Sequence, residues 1–152
     1  VGGQIPRNID WHVYSDGSCC LAVPIEEVIA CRKRIGLTDF IREYVCGFLF
    51  SQTFRKKNGY FYRERSHGFM GTLEYYKEVL NLQSISNVYD ALRIATSKAE
   101  LKNNAKCFCG SNKKFQKCHR RKLRELVKSA GEAVEATLKE LEVAISSLRN
   151  NS

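Results

Sequence analysis

The chain has 152 residues, 43% hydrophobic and 11% aromatic, with 25 Lys and Arg against 16 Asp and Glu for a formal net charge of +9. Such a composition excludes a disordered polymer and suffices for one compact domain with a small appendage, while the charge favours anionic partners. No apolar run reaches the roughly 20 residues needed to cross a bilayer, and an odd seven cysteines with no secretion signal in this stretch lead us to expect a reducing, cytoplasmic setting and no disulfide framework.

Residues 1–24 read as loop and turn, punctuated by Gly2-Gly3, Pro6, Asp16-Gly17 and Pro24. Ile25, Val28 and Ile29 recur at helical spacing and predict a short helix over 25–33, which Gly36 stops. Thr38-Asp39 supply an N-cap for a longer helix to Arg55, with Ile41, Val45, Phe48, Leu49 and Gln52 on one face. Arg55-Lys56-Lys57 and Asn58-Gly59 suit its C-terminus. Cys31 and Cys46 fall on apolar helical faces and are expected in the core.

Residues 60–65 read as a short extended piece and 66–71 as a glycine-flanked loop, with helices expected over 72–82 and 86–101. Lys102-Asn103-Asn104 is the expected linker, and a long helix is expected over 115–149. That helix carries Val127, Val134, Leu141 and Leu148 at sevenfold spacing beside Leu138 and Ile145. The stripe can pack on its own chain, the favoured outcome, or support self-association with a second copy.

Before that helix, CFCGSNKKFQKCH sets Cys107, Cys109, Cys118 and His119 close together, with Gly110-Ser111 allowing a sharp turn between the pairs. Three thiolates and an imidazole complete the tetrahedron that Zn2+ prefers and leave no position for water, so the pattern points to a structural and not a catalytic zinc. The run, through Lys114, Phe115 and the closing Cys118-His119, closely resembles the SEC-C motif, the zinc-binding tail of the bacterial preprotein translocase motor. The resemblance implies a docking and interaction element.

At the front, WHVYSDGSCCLAVP pairs a histidine and a glycine turn with adjacent cysteines. It resembles the active-site stretch of ubiquitin-conjugating enzymes, and RSHGFMGTLEYYKEVL resembles the bacterial branch found in antiphage signalling operons. The resemblance implies an α+β fold: the C-terminal part of a ubiquitin-conjugating-like domain over 1–101, its front meander missing from this stretch, then the zinc module over 102–119 and a basic helix over 120–152. It further implies that Cys20 carries an acyl thioester, with His12 bracing the loop; His67, flanked by Ser66 and Gly68, is read either as a proton shuttle or, the favoured role, as pinning its loop by hydrogen bonding. Cys19 would be the buried neighbour. The implied partners are an activating enzyme and a protein, such as a cyclic-oligonucleotide synthase of the nucleotidyltransferase class, whose C-terminus is passed to an amine. Val13 and Tyr14 stand where the family has proline and asparagine, so the backbone N–H groups of Gly17 and Ser18 are the expected oxyanion donors.

A rival reading comes from the residues themselves. His119, Arg120, Arg121, Lys122, Arg124 and Lys128, with the aromatic Tyr60, Phe61 and Tyr62, suit a non-enzymatic module that binds nucleic acid or the ribosome.

Overall fold

In the computed structural model, which describes residues 5–62 and 65–150, helices follow one another along the chain. Six are α-helical: α1 (Pro24–Arg32), α2 (Leu37–Phe40), α3 (Cys46–Asn58), α4 (Gly68–Leu80), α5 (Ile85–Ala95) and α6 (Arg120–Asn150). Short 3-10 turns sit at Ile9–Trp11 and Phe115–Lys117. No helix among the described residues is long and apolar enough to cross a membrane.

The expected α+β class is corrected: among the described residues there is no strand or sheet, so the ubiquitin-conjugating-like fold is not present. Extended pairing is confined to isolated bridges, Val13–Cys19 and Lys106–Lys114. Neither can grow into a ladder. Beyond Cys19 the chain runs within a few residues into Pro24, which opens α1, and the second bridge encloses only the turn around the Cys107 pair.

The chain divides into two compact units, Val1–Arg65 and Ser66–Ser152. Residues 102–119 and α6 therefore belong to the same unit as α4 and α5.

In the first unit, Pro24 occupies the first position of α1, where its missing N–H is harmless. The Glu26 carboxylate accepts from the Val23 N–H (3.2 Å) and pairs with Arg65 (2.9 Å), closing the helix start. Between α2 and α3 the chain passes through a π turn, Ile41–Val45, without leaving the helical path. That turn explains a departure from the expected face. One extra residue rotates what precedes it by about 100°, so Phe48 and Gln52 are buried while Ile41 lies 44% exposed; Leu49, beyond the turn, is also exposed, which the turn does not explain. Gly59, at φ 84°, takes the left-handed position that ends α3, its N–H bonding the Arg55 carbonyl at 2.7 Å. Cys31 and Cys46 are exposed, not core, because the short α1 and the π turn bury too narrow a stripe to reach them.

The second unit holds the larger core. Helix α4 begins at Gly68, inside the expected loop, with the Ser66 N–H and hydroxyl both anchored on Glu74 at 2.8 Å. It has a wide buried face through Gly71, Thr72, Leu73, Tyr75, Tyr76 and Leu80, while Met70, Glu78 and Val79 are exposed. Helix α5 starts on the Ser84 cap and ends at Ala95, earlier than expected, burying Val88, Ala91 and Leu92. Helix α6 packs on α4 and α5 of its own unit. Its buried face runs through Leu123, Leu126, Ala130, Val134, Leu138 and Leu141, whereas Val127 and Leu148 of the sevenfold stripe are 38% and 70% exposed. The helix changes direction at Ala130 (φ −156°, ψ 37°), between Ser129 and Gly131, a pairing that commonly hosts kinks.

Candidate metal centre and basic face

The candidate metal ligands come from a turn and a helix start. Cys107 and Cys109 flank a tight reversal in which the Gly110 N–H reaches back to the Cys107 carbonyl (3.3 Å), with Gly110 at φ 77°. The Cys107 N–H bonds the Lys113 carbonyl (2.8 Å), which fastens the return strand of the loop. The 3-10 turn at Phe115–Lys117 then presents Cys118 and His119 immediately before α6.

The four ligating atoms lie within 4.8 Å of one another. The Cys109 and Cys118 sulfurs are 3.7 Å apart, close to the edge of about 3.8 Å that a zinc–thiolate tetrahedron requires. The His119 Nδ1 sits 3.2 Å from both the Cys107 and Cys118 sulfurs. His119 Nε2 lies 2.7 Å from the Leu80 carbonyl, so it donates there and turns the lone pair of Nδ1 toward the sulfurs. The residues fit a Zn2+ ion.

The surroundings split the thiols. Burial pushes Cys107 up to about 12. Burial also opposes ionisation of Cys109, but hydrogen bonds from the Ser111 hydroxyl and backbone, with help from Cys107 and Cys118, hold it near 6. Phe108 and Phe115 wall the site; the Phe108 ring lies 5.1 Å from the His119 ring. Its carbonyl accepts from Asn87 Nδ2 at 3.2 Å, tying the loop to the start of α5.

Such a Cys3His cluster has the donor set and spacing of a site that could hold a metal ion. The family model described as the SEC-C motif matches residues 104–121. No curated protein and no solved structure matches the chain.

Sequence reasoning missed how the charge is distributed. Residues 102–128 hold ten Lys and Arg and a single acidic residue, Glu125, so this stretch alone has the formal +9 of the whole chain. The other 125 residues balance at 15 of each sign. Lys102, Lys106, Lys113, Lys114 and Lys117 join the cations already singled out on α6. Counting charge by segment instead of over the chain would have found them. Three of the ten, Arg120, Arg121 and Lys122, occupy the first turn of α6, which has no acidic residue. Cations at that end oppose the helix dipole, so they are not there to stabilise the helix. Arg120, Arg121, Arg124 and Lys128, with Gln116 and Glu125, line a depression of about 410 Å³.

The proposed acyl site is built differently from its expectation. Cys20 lies beyond a tight turn in which the Tyr14 N–H bonds the Ser18 carbonyl and the Cys20 N–H bonds the His12 carbonyl (2.9 and 2.8 Å). Both expected oxyanion donors are engaged inside that turn: Gly17 N–H on the Tyr14 carbonyl and Ser18 N–H on Asp16 Oδ1, each at 2.9 Å. Cys19 and Cys20 are both half-buried, not one in and one out. A hydrogen bond with Cys20, then the charge of that thiol and slight burial, raise the Tyr14 phenol above its ordinary range. His12 packs edge-on against Phe61 with centroids 5.1 Å apart. His67 is the N-cap of α4, in the second unit. Of the three aromatic residues of the rival reading, Phe61 is buried, whereas Tyr60 and Tyr62 are 62% and 60% exposed around Phe54.

Proposed function

We propose that the chain is a non-enzymatic binding module for nucleic acid, in which a structural zinc knuckle fixes the start of α6 and the knuckle and helix together present a cationic face. The observation that carries this reading is the concentration of the full +9 within residues 102–128, against a balanced remainder. Bound Zn2+ with three thiolates contributes about −1 to the same stretch, so the face stays strongly positive. His119 is both the last ligand and the residue before α6, so metal and basic helix are covalently contiguous. The Arg121–Glu125 pair, at 3.7 Å and largely exposed, neutralises little of this field.

The zinc here is a scaffold: it holds the loop and the helix start, and it supplies no Lewis-acid step. The cations supply affinity by displacing counterions from phosphates, which makes binding steeply salt-dependent.

The test is a fluorescence-anisotropy titration of the zinc-loaded chain with a labelled single strand at several salt concentrations. Tight binding at low salt, with log K falling linearly against log salt, supports the module. Replacing Arg120, Arg124 and Lys128 by glutamine should flatten the slope by about 2. No binding at about 50 mM salt overturns the proposal.

A further inference from the structure

The ridge formed by Arg120, Arg124 and Lys128 has two sides. On one lies the polar depression already described. On the other, the same three residues edge a larger groove of about 620 Å³ between the end of α5, the 97–103 loop and α6. Its apolar wall comes from Ile94, Ala95, Leu101, Phe115, Leu123 and Val127. Phe115 and Leu123 are buried and form the floor, while Val127 is 38% exposed beside the buried Leu123 and Leu126. Lys102 adds a fourth cation to the rim and Glu100 the one acid.

We infer that this groove receives unpaired bases from a strand whose phosphates lie along the ridge, so that the module selects single-stranded over double-stranded nucleic acid. The inference rests on the nucleic-acid reading and deepens it. Successive ridge cations are four residues apart, about 6 Å along the helix, so three of them follow a strand and not a single anion. Because the same cations border both hollows, a strand held on the ridge has one flank over the apolar groove. In a single strand that flank can be a base, which leaves water for an apolar surface. In a duplex the bases are stacked and paired inside, and the groove stays wet. Asn103 and Ser97 at the margin offer polar groups for a base edge. The rim excess of four cations over one carboxylate complements the phosphate charge that accompanies each base.

The experiment compares three ligands of roughly 12 nucleotides with the zinc-loaded chain at one salt concentration: a base-bearing single strand, an abasic strand with the same phosphates, and a duplex. The base-bearing strand should bind about tenfold more tightly than the abasic one, and the duplex no better than the abasic strand. Val127→Ser should remove most of that advantage while leaving abasic binding unchanged; the side chain is partly exposed and off the buried face, and circular dichroism checks the fold. A second variant, Ile94→Ser, should act alike. If the base-bearing and abasic strands bind equally, the inference fails while the nucleic-acid reading stands. If none of the three binds, the reading itself fails. If an acidic amphipathic peptide binds more tightly than any strand and loses affinity in Val127→Ser, the groove is a peptide site and the inference is overturned.

Discussion

Tyr76 lies wholly inside the second unit, and its hydroxyl has no hydrogen-bond partner of good geometry. Burial pushes the phenol up to about 12, with Thr137 offering weak opposition. A buried hydroxyl left without a partner costs about 1–3 kcal/mol, so Tyr76→Phe should raise the denaturant midpoint, by roughly 1 kcal/mol in stability. The sign with pH follows from the raised value. The folded state holds the phenol neutral, so the wild type is unaffected below pH 10 and loses stability as pH climbs toward 12. Tyr76→Phe should lose less over that window, and an unchanged alkaline midpoint would count against the assignment. A second consequence concerns the metal. Cys107, held near 12, must release its proton when an ion binds. Affinity for Co2+, read from its thiolate charge-transfer band, should therefore fall steadily as pH is lowered below that value, and chelation should abolish the band. The clustering of the four candidate ligands was legible because they sit within thirteen consecutive residues and each residue type declares its chemistry. The Leu80 carbonyl that orients His119 was not. It is a backbone acceptor 39 positions upstream, and side-chain identity carries no signal for it.

Helix ends followed local chemistry closely where caps were strong, as at Pro24 for α1 and Asn58-Gly59 for α3. They were missed where packing overrode pattern. Gly68 looked like loop because glycine is a poor helix starter, and α4 shows no stripe because Gly71, Thr72, Leu73, Tyr75 and Tyr76 are buried together. A buried face that wide blurs the period that would reveal it, although Met70, Glu78 and Val79 remain exposed. The π turn at Ile41–Val45 is equally silent in sequence, yet it decides which face of the following helix is buried. The extended piece expected over 60–65 falls partly on residues 63 and 64, outside the described residues. Helix α3 carries one conspicuous weakness. Gly47 lies exposed in its first turn, and a methyl built there meets nothing within 4 Å. Gly47→Ala should therefore stabilise the first unit by about 0.5–1 kcal/mol through helix propensity alone. Hydrogen exchange of the α3 amides would read the gain. Slower exchange is expected, and faster exchange would mean that the π turn beside it needs the glycine's freedom.

Taken over the whole molecule, +9 describes no average property, since one stretch carries the excess and the rest is balanced. The opening segment misled about the fold for a related reason: a short constellation such as His12, Gly17 and Cys20 can occur on a simple turn, and the ubiquitin-conjugating-like fold it resembles is not built among the described residues. The charge segregation makes a prediction that separates a local face from a merely basic protein. Arg32, Lys33 and Arg34 end α1 and its following turn in the first unit, and together they equal in charge the ridge of Arg120, Arg124 and Lys128. If binding follows total charge, glutamine at either trio lowers affinity and salt slope alike. If it follows the face built on the zinc knuckle, only the α6 trio does so, reducing the slope by about 2, while the α1 trio leaves both quantities near the wild type. Chelation adds an independent arm: it removes no cation from the chain, so retained affinity without metal would refute the scaffold role, and a loss comparable to the α6 trio would place the knuckle and the helix in one binding unit.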